Sequence, residues 1–170
     1  MGDNVTTDTR VDVSMTVNGD PVEARVDTRL LLAHFLREEA ELAGVRIGCD
    51  TTSCGACAVL LDGRAIKSCT LFAVQAGGRT VTTIEGIAGD RSLHPVQEAF
   101  REEHALQCGF CTSGFVMATI ELLDTNSEPT EDEVREGLSG NLCRCTGYAN
   151  IVSAALRAAE AMRSAGKGLD

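Results

Sequence analysis

The eight cysteines of this 170-residue chain are its best candidates for chemistry, and they fall into two groups of four. The first group has the pattern C-x4-C-x2-C-x11-C and consists of Cys49, Cys54, Cys57 and Cys69. The second group has the pattern C-x2-C-x31-C-x-C and consists of Cys108, Cys111, Cys143 and Cys145. Four thiols can form disulfides, bind zinc or hold an iron–sulfur cluster. The spacing of the cysteines is the evidence that distinguishes these three possibilities.

The spacing of the first group favours a [2Fe–2S] cluster. Plant-type clusters are held by a C-x4-C-x2-C run and a distant fourth cysteine, and this group has that arrangement. The second group alone is compatible with zinc as well as with an iron–sulfur cluster, because zinc sites also use short cysteine pairs. We expect no disulfides, since the sequence shows no secretory segment and is 44% apolar, enough to build a core without them.

The charge and hydropathy of the chain exclude several classes of function. Its formal net charge is −10, spread over both halves, and there is no basic stripe that could neutralise nucleic-acid phosphates. No apolar run approaches the ~20 residues that a membrane-spanning helix needs. We therefore expect a cytoplasmic protein without a membrane span, and attachment to the inner face of the membrane through a partner remains open.

The elements that position the first cysteine group form a small α+β unit. Alternating apolar residues, β-branched runs and tight turns predict strands at residues 11–17, 22–26, 58–61, 65–67 and 80–84. Asn18-Gly19 and Asp62-Gly63 are typical hairpin turns. A helix is expected to begin near Leu30, with Asp27 or Thr28 as its N-cap. The ligand loop follows this helix.

The second half of the chain is predicted to be all-α. After a glycine-containing boundary at residues 86–92, four helices are expected at residues 94–104, 112–124, 130–138 and 150–165. The T-E-D-E sequence that begins at Thr130 is a capping box. Cysteines of the second group precede the second of these helices and separate the third from the fourth. The two loops are therefore expected to face each other and hold the second cluster between them.

Longer motifs around both groups resemble those of a known family. They are G-C-D-T-T-S-C-G-A-C, K-S-C-T-L-F-A-V-Q-A, Q-C-G-F-C-T-S-G and G-N-L-C-R-C-T-G-Y. Together they resemble the small iron–sulfur subunit of molybdenum hydroxylases, the family of xanthine oxidase, aldehyde oxidoreductase and carbon monoxide dehydrogenase. The resemblance covers residues 11–160. The D-T-T-S insert, and the second motif followed by T-T-I-E-G, are most similar to the aerobic carbon monoxide dehydrogenase branch.

The resemblance implies a two-domain α+β fold and a place in a larger enzyme. A β-grasp, plant-type ferredoxin-like domain would cover residues 11–85, and a four-helix [2Fe–2S] domain would cover residues 90–165. All eight cysteines would be cluster ligands. A large subunit would carry molybdenum on a pterin dinucleotide, expected to be the cytosine form, and a medium subunit would carry FAD. Electrons would pass from molybdenum through the helical cluster and then the plant-type cluster to FAD, in a dimer of heterotrimers.

Individual residues also carry over from the family. Gln107 resembles the glutamine that hydrogen-bonds the pterin, and Cys145 resembles the cluster thiolate nearest the pterin amine. No catalytic residue is expected on this chain. Relatives commonly have proline where this chain has Ser113, so we expect a softer helix start there, with Thr112 as an available cap.

The expected function is electron transfer within a molybdenum hydroxylase such as aerobic carbon monoxide dehydrogenase. The same role in an aldehyde or N-heterocycle (nicotine or quinoline type) dehydrogenase is the main alternative. Two alternatives belong to other functional classes. One is a free two-cluster ferredoxin, and the other is an interaction module in which zinc occupies the second group.

Overall fold

A five-stranded sheet occupies the N-terminal half of the chain and four helices occupy the C-terminal half. The structure, a computed structural model, describes residues 8–89 and 92–165. The elements of the first half are β1 (Arg10–Val17), β2 (Asp20–Asp27), α1 (Leu32–Glu38), β3 (Ala58–Leu61), β4 (Arg64–Lys67) and β5 (Thr80–Thr82). Short 3-10 turns cover Ser68–Thr70, Ala73–Ala76 and Ile84–Gly86. The elements of the second half are α2 (Pro95–Glu102), α3 (Thr112–Thr125), α4 (Glu131–Gly137) and α5 (Ala149–Ala165).

The sheet has the mixed topology that the β-grasp prediction requires. Its strand order is β2-β1-β5-β3-β4, with β1 parallel to β5 and the other neighbours antiparallel. The β1–β2 hairpin turns at Asn18 and Gly19, which have φ angles of 53° and 92°. Two successive positive φ values are typical of the type I′ turn that suits the twist of a hairpin. The predicted α+β fold class is confirmed.

The start of α1 differs from the sequence prediction. The helix begins at Leu32 instead of near Leu30, and its N-cap residue Leu31 makes no side-chain capping bond. The expected cap Asp27 instead accepts hydrogen bonds from the backbone and side chain of Arg29, so it stabilises the preceding turn. The first amide of the helix, that of Leu32, donates to the carbonyl of Leu71 at 2.7 Å. A distant backbone group thus replaces the expected local cap.

Strand β5 is shorter than predicted because, after Thr82, its hydrogen bonds are made with the Asn18 side chain and no longer with the backbone of a neighbouring strand. The ladder stops at Thr82, whereas residues 80–84 were expected to be extended. The amide of Thr83 donates to Asn18 Oδ1 at 2.8 Å, and Asn18 Nδ2 donates back to Thr83 Oγ1 at 2.9 Å. Both polar groups of the buried Thr83 are satisfied in this way, and the chain then turns into the 3-10 segment Ile84–Gly86.

Strand β3 joins the two halves of the molecule because both of its faces are buried. Val59 and Leu61 belong to the core between the sheet and α1. Ala58 and Leu60 belong to the core of the helical half, where α3 packs on the strand. A strand buried on both faces is expected to be a continuous apolar run, and residues 58–61 are A-V-L-L.

All four helices predicted for the second half are present. The capping box is confirmed, since Thr130 Oγ1 accepts from the Glu133 amide and the Glu133 carboxylate accepts from the Thr130 amide. The N-cap of α3 is Cys111, so Thr112 is not the cap that the sequence suggested.

Asp90, the first residue of the expected second domain, lies outside the described residues. None of the helices within 8–89 and 92–165 is long and apolar enough to cross a membrane.

Candidate metal centres

The first cysteine group is assembled by one loop and one short turn. Cys49, Cys54 and Cys57 lie in the loop between α1 and β3, and Cys69 lies in the 3-10 turn after β4. Ser68 ties the two segments together, because its hydroxyl and its amide both donate to the carbonyl of Cys57, at 2.7 and 3.3 Å. The fold therefore brings the distant fourth thiol to the three-cysteine loop, as the spacing predicts.

The four thiols of this group influence one another. The Cys54 amide donates to Cys49 Sγ at 3.4 Å, and this bond, with further bonds from the Cys54 thiol and the Thr51 amide, lowers the pKa of Cys49 to about 6. Burial, together with a hydrogen bond to Cys57, raises the pKa of Cys69 to about 12. Burial also raises the pKa of Cys54. The thiols thus form two hydrogen-bonded pairs, Cys49 with Cys54 and Cys57 with Cys69.

The second cysteine group is assembled from two helix-end loops, as predicted. Cys108 lies in the turn before α3, Cys111 occupies the N-cap position of that helix without a side-chain capping bond, and Cys143 and Cys145 lie between α4 and α5. The Sγ atoms of Cys145 and Cys108 are 3.6 Å apart. Burial, together with a hydrogen bond to the Cys143 thiol, raises the pKa of Cys111 to about 12. Here too the four thiols form two pairs, one from each loop in each pair.

Loop amides, and not helix ends, donate to the sulfur of Cys143. Its Sγ accepts from the amides of Cys145 and Thr146, both at 3.4 Å, and from the Thr146 hydroxyl at 3.2 Å. Burial opposes ionisation of this thiol, but the three donors together lower its pKa. Amide bonds of this kind tune the potential of a bound cluster.

Tyr148 supports the same loop and was not singled out as a functional residue from the sequence. Its hydroxyl accepts from the Cys143 amide at 3.0 Å, and its ring packs edge-on against Phe115 with 6.3 Å between the ring centroids. Tyr148 has a positive φ of 70°, an uncommon conformation for an aromatic residue. The signal was available, since this residue is the only tyrosine of the chain and follows Cys145 in C-T-G-Y.

The donor set and its pairing fit [2Fe–2S] clusters. Such a cluster takes four cysteine thiolates, two on each iron, and each group presents four thiols in two pairs. All eight cysteines are free thiols, so none is used in a disulfide. Within the described ranges, no set of three or more His, Cys, Asp or Glu side chains converges on the position of a single ion.

The two groups adjoin, and the second has an exposed edge. A cavity of about 170 Å³ is lined by Cys54 of the first group and by all four cysteines of the second. Cys108 and Cys145 are exposed, and so is Gln107, the residue expected to contact a pterin. The large apolar side chains of Leu106, Phe110 and Leu142 are exposed around them.

Comparison with known proteins agrees with this geometry. The family described as "2Fe-2S iron-sulfur cluster binding domain" matches residues 15–79, and the family described as "[2Fe-2S] binding domain" matches residues 83–156. The chain is 51% identical to the nicotine 6-hydroxylase small subunit of Paenarthrobacter nicotinovorans, over 88% of this chain and 90% of that protein. The chain belongs to the family of small [2Fe–2S] subunits of molybdenum hydroxylases.

Other members of the family extend the comparison. Caffeine dehydrogenase subunit gamma of Pseudomonas sp. strain CBB1 is 48% identical, over 84% of this chain and 87% of that protein. A chain in the crystal structure of quinoline 2-oxidoreductase from Pseudomonas putida 86 superposes with a TM-score of 0.88 and 45% identity, covering 92% of this chain and 98% of that chain. The two [2Fe–2S]-binding domains are thereby confirmed. The expected closeness to carbon monoxide dehydrogenase is not supported, since these relatives are named for nicotine, caffeine and quinoline.

Proposed function

We propose that this chain holds two [2Fe–2S] clusters and transfers electrons within a molybdenum hydroxylase that oxidises an N-heterocyclic substrate. The observation that carries the proposal is the division of eight free thiols into two adjoining groups, each of which contains two thiol pairs. Cys49, Cys54, Cys57 and Cys69 would hold the first cluster; Cys108, Cys111, Cys143 and Cys145 would hold the second. Each cluster, when bound, accepts or releases one electron at a time.

The exposed edge of the second group is proposed to face a large, molybdenum-binding subunit. Gln107 and Cys145 are both exposed there, so a pterin on another chain can reach them. Exposed apolar side chains beside these residues, among them Leu106 and Leu142, suit burial in a subunit interface. This arrangement makes a free two-cluster ferredoxin the weaker reading, because a free carrier gains nothing from an apolar rim around its exposed thiols.

The first group is proposed to face a medium, FAD-binding subunit. Residues 50–53 of its ligand loop are exposed, which allows close approach of a second redox partner. Electrons would then enter the chain at the second group and leave it at the first. The complex would be a dimer of heterotrimers in the cytoplasm, where eight reduced thiols are expected to persist.

Relatives named for nicotine, caffeine and quinoline support an N-heterocycle as the substrate class over carbon monoxide. All three names refer to nitrogen-containing ring compounds. The residues that select the substrate would lie on the large subunit, with the molybdenum and its pterin dinucleotide. The residues of this chain would therefore affect the rate of electron removal, and they would leave substrate preference unchanged.

The test is a count of metals together with low-temperature EPR on the native complex. We expect iron for two clusters per chain, molybdenum on a co-purifying large chain, and two distinct [2Fe–2S] signals after reduction with dithionite. Zinc in place of iron at the second group, or a single cluster signal, would contradict the proposal. Screening the same complex with N-heterocycles, aldehydes and carbon monoxide then identifies the substrate class.

A further inference from the structure

Three residues of the loop between α4 and α5 form a closed ring of hydrogen bonds that includes the sulfur of Cys143. The Thr146 hydroxyl donates to Cys143 Sγ at 3.2 Å. The Tyr148 amide donates to Thr146 Oγ1, also at 3.2 Å. The Cys143 amide donates to the Tyr148 hydroxyl at 3.0 Å, and this bond closes the ring. The ring thus begins and ends at Cys143, a proposed ligand of the second cluster.

The Tyr148 amide determines the direction in which the Thr146 hydroxyl donates. A hydroxyl has one proton to donate and two lone pairs that accept. Because the oxygen of Thr146 already accepts the N–H of Tyr148, its proton points to a different neighbour, and that neighbour is Cys143 Sγ. The bond to the sulfur therefore depends on where the backbone of Tyr148 is held.

Contacts with another helix hold Tyr148 in an uncommon backbone conformation. Its φ angle is 70°, and it follows Gly147, whose φ angle is 71°. An aromatic residue seldom adopts this conformation, so surrounding contacts have to stabilise it. One contact is the edge-on packing of its ring against Phe115 of α3, and the other is the bond from the Cys143 amide. Helix α3 thereby helps to place the amide that orients Thr146.

This hydroxyl bond distinguishes the second cysteine group from the first. Within residues 8–89 and 92–165, Cys143 is the one cysteine whose sulfur accepts from a side-chain hydroxyl. Thr70, which follows Cys69 of the first group, donates instead to the Lys67 carbonyl at 2.8 Å. Burial opposes ionisation of Cys143, but the Thr146 hydroxyl, ahead of the loop amides, lowers its pKa. The bond therefore favours negative charge on this sulfur.

We propose that Thr146 raises the reduction potential of the second cluster by donating its hydroxyl proton to Cys143 Sγ, and that Tyr148 is the positioning residue that orients this donor. Reduction adds one electron, and part of the added negative charge lies on the thiolate sulfurs. A donor to a ligand sulfur therefore stabilises the reduced form more than the oxidised form. This inference rests on the proposed cluster ligation.

The step that Thr146 favours is a one-electron transfer without proton transfer. In the proposed complex, one electron leaves the molybdenum centre of the large subunit and enters the second cluster. No covalent bond forms or breaks, and the Thr146 hydroxyl keeps its proton. A higher potential at the second group makes this uptake of electrons more favourable.

The experiment is a redox titration of the cluster-loaded complex, followed by low-temperature EPR. Thr146→Val keeps the shape of the side chain but can neither donate to Cys143 Sγ nor accept from Tyr148. We expect the equilibrium constant for reduction of the second cluster to fall about tenfold, which is about 59 mV for a one-electron couple. The potential of the first cluster should stay unchanged. Cys111→Ser identifies the signal of the second cluster, because it should remove that signal.

Three further variants separate the hydroxyl from the shape of the loop. Thr146→Ser keeps the hydroxyl and should have a potential close to that of the wild type. Tyr148→Phe keeps the aromatic ring but removes the acceptor of the Cys143 amide, so it should lower the second potential by less than Thr146→Val does. The matched control is Thr125→Val, because the Thr125 hydroxyl donates to carbonyls of its own helix at the far end of α3. Neither potential should change in this control.

The outcomes separate this inference from the proposed function. If the wild-type complex lacks two cluster signals, the proposed function fails. If the wild type has both signals and Thr146→Val leaves the second potential unchanged, only the inference is overturned. Equal shifts in Thr146→Ser and Thr146→Val would also overturn it, because the hydroxyl would not be the cause. If Thr146→Val does not assemble the second cluster, Tyr148→Phe decides: a lowered potential supports the inference, and a wild-type potential overturns it.

Discussion

Gly114, in the first turn of α3, lies so close to Gly55 that a Cβ on Gly114 would overlap the Gly55 carbonyl oxygen and stand 3.0 Å from the Cα of Ala56. The helix that begins immediately after Cys111 thus packs directly on the peptide that follows Cys54. Asn141 holds the same Gly55 peptide through a hydrogen bond. Two segments of the helical half therefore determine the position of the first ligand loop.

Gly114→Ala should destabilise the protein by roughly 1–3 kcal/mol, because the added methyl group overpacks a contact made of backbone atoms. In an unconstrained helix the same change would stabilise, since alanine is the better helix former. Thermal unfolding of the cluster-loaded protein measures the effect. Gly140→Ala is the control, because a Cβ there meets only Lys67 at an ordinary 3.8 Å. Equal melting temperatures for the two variants would contradict the steric argument.

Cys54→Ser and Cys111→Ser should each remove one cluster and spare the other. Cys54 belongs to the pair with Cys49, whereas Cys111 belongs to the pair with Cys143 in the other group. Serine is a poor substitute for a thiolate ligand, so the EPR signal of the altered site should be lost or strongly perturbed. Iron content should fall in both variants. Survival of both signals in either variant would show that the ligands are assigned incorrectly.

Ser113→Ala should stabilise the protein by about 1 kcal/mol, because the Ser113 hydroxyl is buried and has no hydrogen-bond partner among the described residues. The start of α3 has no side-chain cap. The comparison variant is Ser164→Ala on the exposed surface of α5, where the lost hydroxyl is exposed and donates to the Glu160 carbonyl at 2.9 Å, so that the gain in helix propensity is the same but no unpaired buried hydroxyl is removed. A gain in melting temperature no larger than that of Ser164→Ala would mean that the Ser113 hydroxyl finds a partner in solution.

His94→Asn should make stability less dependent on pH. His94 caps α2 by accepting from the Val96 amide at 3.2 Å, and burial lowers the pKa of its ring below the ordinary 6.5. Below about pH 6.5 the unfolded chain binds a proton that the folded chain resists, so stability is present at neutral pH and is lost on acidification. Asparagine keeps a capping oxygen that does not titrate.

The measurement for His94 is the melting temperature of both proteins between about pH 8 and about pH 5.5, a range that spans the titration of histidine. The wild type should lose more stability than His94→Asn at the acidic end. If clusters are bound, their acid sensitivity would affect both proteins equally, because His94 is not one of the proposed ligands. Parallel curves would show that the protonation of His94 is not linked to folding.

The features predicted correctly from the sequence depend on local spacing. The cysteine intervals place three thiols in one loop and two at a helix start, and the Asn18-Gly19 turn determines the first hairpin. The capping box at Thr130 is confirmed because its donors and acceptors are only three residues apart. Capping boxes and hairpin turns depend only on residues a few positions apart, so they can be predicted without knowing how the rest of the chain folds.

The sequence predictions of helix and strand ends were wrong where a hydrogen-bond partner from a distant part of the chain replaced the expected local one. The start of α1 depends on the carbonyl of Leu71, and the end of β5 depends on Asn18, which is 65 residues from Thr83. The pairing of the thiols, the Tyr148 bond to Cys143 and the contact between Asn141 and Gly55 also join separate elements. The sequence predicted that the two loops of the second cysteine group face each other, but no periodicity in it indicates that the first ligand loop contacts the last one.

The sequence by itself identified the candidate cluster ligands and the order of the elements that carry them, because both are properties of short stretches of chain. Only the tertiary structure decided that the two ligand loops touch. That contact requires β3 to be buried on both faces, with Val59 towards the sheet core and Leu60 towards the helices. Burial of apolar surface between the halves brings Cys54 and Leu142 within hydrogen-bonding distance, and that distance appears only after the chain has folded.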